Sequence, residues 1–184
     1  MTTKPGTARF GWLISLIAGV LALSCVASPP PRWAEGGAAL TLPTARWHRD
    51  GDTIEIQPSG QVLEDGDPIF LVDRVGRVVD EDREPVAVLL PNGTLAGTDN
   101  RDLGHVGRAN AAPPSQSSAW LSLQPDGTVI RFDSDGERSR DGSWEGCRGT
   151  ALRTCTLITH LIALRHYSQR SSGVGVGVGI GVGF

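Results

Sequence analysis

Three cysteines are the residues of this chain best suited to chemistry: Cys25, Cys147 and Cys155. A thiol can be acylated, oxidised to a disulfide or bound to a metal, and its surroundings decide which. Cys147 and Cys155 are followed by His160 and His166, giving C-x7-C-x4-H-x5-H. No structural zinc pattern has that spacing, and histidines six apart on a helix point to different faces. The run Asp133-Ser134-Asp135-Gly136-Glu137 opens like a calcium loop. Its sixth position, which needs Gly, is Arg138, and its twelfth, which needs Glu, is Trp144. Asp65-Gly66-Asp67 and Asp80-Glu81-Asp82 read as solvated hairpin turns. No metal site and no cofactor are therefore expected. Nor is catalysis: the chain contains no Gly-x-Ser-x-Gly, no phosphate loop and no His-Glu-x-x-His. His48 and His105 are the remaining histidines, and the sequence assigns them no partner. A small hydrolase whose site the sequence hides is the remaining catalytic alternative.

Cys25 stands in a different context. Lys4 and Arg9 precede the apolar run Phe10–Ser24, FGWLISLIAGVLALS, and small residues end it. Positive charge, apolar stretch and small residues are the layout of a secretory signal peptide. The run is shorter than the roughly 20 residues that span a bilayer comfortably, which favours a cleaved leader over a permanent anchor. Leu21-Ala22-Leu23-Ser24-Cys25 resembles the lipobox of bacterial lipoprotein precursors, with Ala22 where that family prefers Leu. The resemblance implies cleavage before Cys25, acylation of its thiol, and attachment to a membrane through the acyl chains. Ordinary cleavage at Ala22-x-Ser24 or Val26-x-Ser28 gives a secreted protein instead. Val26 after the cysteine favours the outer membrane, by analogy with enteric lipoprotein sorting. An acylated Cys25 leaves Cys147 and Cys155 as an even pair in an oxidising compartment. Their disulfide would pin the start of the last helix; two buried free thiols are the alternative.

Removing residues 1–24 takes Lys4 and Arg9 from the 17 basic residues and nothing from the 20 acidic ones, so the net charge moves from −3 to −5. That balance argues against a nucleic-acid partner, which needs a basic footprint. Gly 24 and Pro 12 in 184 residues predict many turns.

The organisation follows from those turns. Residues 25–46 hold Pro29-Pro30-Pro31 and Gly36-Gly37 and read as an extended tether, with a strand at Ala39–Leu42 as the alternative. Residues 47–146 carry a weak repeat: Gly60, Gly76, Gly93 and Gly127 each end a short apolar stretch, at steps of 16, 17 and 34. Asp65, Asp82 and Asp99 form a second turn series, 17 apart. Each repeat is strand, Gly turn, strand, Asp turn, because Ser-Gly, Asn-Gly and Asp-Gly supply the positive-φ residues tight hairpins need. The expected fold is mainly β: an antiparallel meander of seven to ten short strands, a curled sheet or small open barrel. Gly107–Ser118 reads as a polar loop that interrupts the array. The four tryptophans of this mature chain, Trp33, Trp47, Trp120 and Trp144, read as core fillers; an exposed row of them would suit glycan stacking.

Residues 147–170 hold an apolar pattern at three- and four-residue steps: Leu152, Cys155, Ile158, Leu161, Ile162. An amphipathic helix is expected, capped by Thr150, stopped by Gly173 and packed by its apolar stripe on one open face of the sheet. Residues 171–184 are a Gly/Val low-complexity tail, read either as a flexible end or as a membrane or assembly strand.

The carriers Pro125-Asp126-Gly127-Thr128, Pro91-Asn92-Gly93-Thr94 and Asp135-Gly136-Glu137 resemble the hairpin repeats of uncharacterised secreted and lipid-anchored proteins of Gram-negative bacteria. That resemblance implies a cell-envelope location and no catalytic residues. The resulting expectation is an exported, lipid-anchored envelope protein with a structural or binding role and an envelope protein or glycan as partner. The alternative is a secreted soluble module that binds a glycan or protein through its sheet face.

Overall fold

The computed structural model describes residues 27–172. The segment expected to be a leader, Cys25, Gly173 and the Gly/Val stretch after it lie outside the described residues. Twelve strands follow in order. They are β1 (Ala45–His48), β2 (Thr53–Ile56), β3 (Gln61–Glu64), β4 (Asp67–Val72), β5 (Arg77–Val79) and β6 (Pro85–Leu89). Then come β7 (Thr94–Gly97), β8 (Asp102–Val106), β9 (Asn110–Ala112), β10 (Leu121–Leu123), β11 (Thr128–Phe132) and β12 (Arg138–Glu145). Each strand pairs antiparallel with the next, and β12 returns to β1 with Trp144 opposite Trp47. The meander therefore closes into a barrel, which leaves no sheet edge open to pairing among the described residues. The mainly β antiparallel meander with a helix after it is as expected; the strands number twelve rather than seven to ten, and the expected curled sheet or small open barrel is closed. The strand array is also unbroken: Asn110–Ala112 is β9, inside the segment read as an interrupting loop.

Local chemistry explains the hairpins. β1 buries Ala45 and Trp47 and exposes Arg46 and His48, the period-two pattern of a strand with one wet face. Ile54 and Ile56 of β2, and Leu121 and Leu123 of β10, point inward in the same way. Register shifts between β3 and β4, β5 and β6, β7 and β8, and β11 and β12 bend the strands round the curve.

The repeated glycines have a shared task. The carbonyls of Gly60, Gly76, Gly93 and Gly127 accept from the backbone N–H groups of Val72, Leu89, Val106 and Trp144, at 2.7–2.9 Å. Each Gly turn is thus tied to the strand of a neighbouring hairpin, and the sequence period is the step around the barrel. Gly127 shows why no side chain is admitted: its φ is +93°, and a Cβ there would lie 2.1 Å from the Trp144 carbonyl oxygen. The residue before it, Asp126, accepts from the Thr128 N–H at 2.9 Å and locks the turn. That bond holds the Asp126 carboxyl below its ordinary pKa.

The helix α1 (Leu152–Ser172) does not cover an open face. It threads the barrel, and every residue from Thr154 to Ala163 is buried. An eight-stranded barrel is just wide enough for side chains to fill. Twelve strands enclose more, and a helix about 10 Å across occupies the excess. The amphipathic reading is thereby corrected: from Thr154 to Ala163 this helix meets protein on all sides. It is entered through a 3-10 turn at Gly149–Ala151, with Thr150 inside that turn and no side-chain cap.

The stretch read as a tether is also corrected. Residues 28–42 are strapped to the barrel wall and across one end. The Gly37 and Ala38 N–H groups donate to the Val75 and Leu89 carbonyls, each at 2.6 Å, and Leu40 donates to Arg74 at 2.9 Å. Ala38 and Leu40 are buried, and Ala39–Leu42 forms no strand.

Replacement of Gly127 by Ala is expected to lower unfolding stability by about 2–4 kcal/mol, because strain and collision add. Gly136→Ala, at φ +80° with nothing within 4 Å of a Cβ, should cost about 1 kcal/mol. Urea titration of the two variants measures the difference.

Candidate functional site

The antiparallel order gives the barrel two ends of different character. The helix enters at one and leaves at the other. At the entry end, β12 finishes beside Cys147, and Cys147 is bonded to Cys155 in the first turns of α1 with a Cα separation of 6.1 Å. The bridge fastens the start of the helix to the last strand. Arg153 donates to the Leu90 and Pro91 carbonyls at this end, and Arg108 donates to the Gly149 carbonyl.

The exit end carries the densest set of ionisable groups. Asp141 on β12 accepts from Arg49 at 3.3 Å and from Arg131 on β11. The Arg49 guanidinium also lies over the Trp47 ring, 4.7 Å from its centroid. Glu64 at the end of β3 accepts from Arg165 on α1 at 3.2 Å. Arg49 donates to the His166 Nε2 at 3.1 Å. That bond requires His166 to be neutral with its proton on Nδ1. Burial, and then the Arg49 charge, hold its pKa below the ordinary value, against the opposing pull of Glu64. Donor atoms of Asp52, Glu64 and His166 lie within 4.8 Å of one another. Arg49 and Arg165 already supply the cationic charge there, so the group is an ion-pair latch joining β-turn, strand and helix at the barrel mouth.

The turns sharpen this polarity. Asp80–Glu84, Asp133–Glu137 and Asp99 all stand at the exit end, whereas Arg74, Arg77, Arg108, Arg148 and Arg153 stand at the entry end. A cleft of about 170 Å³ opens on the acidic side between Ile69, Phe70, Asp80, Asp82 and Arg165.

Inside the barrel, the polar residues of α1 are matched one by one. Trp144 donates through Nε1 to the Thr159 hydroxyl at 2.9 Å, and Thr154 donates to the Thr41 carbonyl at 2.8 Å. Thr156 reaches the carbonyls of Leu152 and Arg108. His160, fully buried, accepts from Trp120 Nε1 at Nδ1 (2.9 Å) and donates from Nε2 to the Leu103 carbonyl (2.7 Å). Burial pushes its pKa down to about 4; the Leu103 bond and the Asp102 charge oppose the shift. These residues serve packing, and their partners are separated from them by as many as 113 positions, so the sequence carried no local signal of them.

Of the residues singled out from sequence, Cys147 and Cys155 come together, while His160 and His166 stand apart, one in the core and one at the rim. Asp133 accepts from the backbone N–H groups of Asp135 and Glu137, which makes the acidic run a self-capped hairpin turn. Trp47 and Trp144 stack in the core at 5.6 Å. Among the described residues no helix is long and apolar enough to cross a membrane. No family model matches the chain, no curated protein matches it, and no solved structure matches it.

The His160 geometry has a pH consequence. The unfolded chain protonates His160 near pH 6.5, and the folded chain only near 4. Between those values the unfolded state binds the extra proton, so stability falls as pH drops through the window, by roughly 3 kcal/mol in total. His160→Gln can keep both hydrogen bonds without titrating and should flatten that part of the stability–pH curve. Urea unfolding at pH 7, 5.5 and 4.5 reads the difference. Separately, replacing both Cys147 and Cys155 by Ser should cost about 2–3 kcal/mol, the loop-closure value for so short a ring, and dithiothreitol should reproduce the loss in the parent protein.

Proposed function

We propose that this protein is exported and held at the cell envelope by acyl chains on Cys25, where the barrel is a rigid, non-catalytic binding or structural module. The observation that carries the reading is the Cys147–Cys155 bridge at the helix entrance. Lasting disulfides belong to oxidising compartments, and the leader ending at Cys25 is the device that would deliver the chain to one. With the helix filling the barrel, any ligand of the described residues meets the outer wall, the turns or the shallow clefts rather than a central cavity. An envelope protein or a glycan is the partner this reading assigns, and the outer membrane the favoured residence. Glycan stacking on a row of tryptophans is disfavoured, because Trp47 and Trp144 are buried. An envelope protein met through the charged turns is therefore the better-supported partner.

Expression with a clickable palmitate analogue should label the parent chain. Cys25→Ala should lose the label and move from the membrane to the soluble fraction. Equal labelling and fractionation of the two would refute the anchor, and a mature N-terminus other than Cys25 in the mass spectrum would do the same.

A further inference from the structure

We infer that the barrel stands on the lipid surface by its helix-exit end, with the entry end held away from it. The inference rests on the reading of Cys25 as the attachment point. It follows from where the strap begins. Ser28 is tied in both directions to Asp99: its N–H donates to the Asp99 carboxylate at 2.8 Å, and its carbonyl accepts from the Asp99 N–H at 2.9 Å. Asp99 lies in the 3-10 turn Thr98–Asn100 between β7 and β8, at the exit end. Its φ of 54°, beside Asn100 at 57°, is a left-handed conformation uncommon outside Gly, and from it both groups of Asp99 face Ser28.

Two residues, Val26 and Ala27, separate Cys25 from Ser28, a reach of about 10 Å at full extension. The strap from Ser28 to Gly37 then runs the length of the barrel, since Gly37 bonds to Val75 at the opposite end. A chain fixed to lipid at Cys25 is thus leashed first at the Asp99 turn. The helix emerges at the same end, with Tyr167 66% exposed just past the latch. An amphipathic aromatic ring suits the headgroup layer. The carboxylates of the Asp80–Glu84 turn oppose anionic lipid, so the short leash, and not charge, holds this end down. Zwitterionic lipid should admit it more closely than anionic lipid, and salt should narrow that difference.

The test uses the chain from Cys25 onward, coupled at Cys25 to a maleimide phospholipid, so that orientation is read whether or not cells acylate the protein. A fluorescent amino acid replaces either Asp82, at the exit end, or Ser59, at the entry end. Vesicles of phosphatidylcholine contain a headgroup-attached quencher. Quenching at position 82 is expected to exceed that at position 59 at least threefold. Asp99→Ala, or ten Gly/Ser residues inserted after Val26, should bring the two close to equality while circular dichroism stays unchanged. Equal quenching in the parent chain, or stronger quenching at position 59, overturns the inference. Absence of acyl groups on protein isolated from cells would instead overturn the anchor reading and leave the orientation result standing.

Discussion

A barrel of twelve strands is too wide to fill with its own side chains, and everything else in this molecule answers to that. The interior is occupied by α1, whose segment from Thr154 to Ala163 has no solvent-facing side. Leu157, Ile158, Leu161 and Ile162 meet the inward residues of the wall, each burial worth about 1.5–3 kcal/mol. The same burial makes any unmatched polar atom costly, at about 1–3 kcal/mol. Thr154, Thr156, Thr159 and His160 therefore each have a partner, and those partners come from different parts of the chain. An apolar helix in an apolar sleeve can slide and rotate; these bonds select one depth and one rotation.

Both ends of the helix are fastened by different chemistry. At the entry a covalent bridge joins it to β12. At the exit the fastening is ionic, through Arg165 and Glu64, with Arg49 and Asp141 binding the neighbouring strands. The Asp141–Arg49 contact is mostly shielded from water, where charge pairing is screened less than at an open surface. The N-terminal strap adds a third fastening across the entry end. A module braced in this way offers its turns and outer wall as a fixed surface.

The hairpins were legible because their determinants are local. Ser59-Gly60, Asn92-Gly93 and Asp126-Gly127 announce turns by their own conformational preferences, and the alternating residues beside them announce half-buried strands. The Cys147–Cys155 pairing was one of two readings, since the cysteine count is even only with Cys25 acylated; the structure is what brings the two thiols together. Asn110–Ala112 was missed because its strand character comes from β8 and β10 on either side, not from its own residues. The strap was misread for the opposite reason. Pro29–Pro31 and Gly36-Gly37 have the composition of a flexible linker, yet Gly36 and Gly37 are small because backbone and Val75 press on them; a Cβ on Gly37 would lie 2.1 Å from the Leu89 carbonyl oxygen. The ionic latch of Arg49, Glu64, Asp141 and His166 was invisible, since nothing in four distant segments marks them as neighbours.

The β-rich class, the hairpin rhythm, the turn chemistry and the helix near the end can be read from the chain, because each depends on residues close to one another along it. That the meander closes, that the helix lies within it and that the ionic groups gather at one end emerges only when distant segments meet. Closure depends on the number of strands and on how their small twists and bulges accumulate. The place of the helix depends on that closure: Thr154, Thr159 and His160 point in different directions from its axis, and all three can be buried only because the Thr41 carbonyl and the indoles of Trp144 and Trp120 come round to meet them.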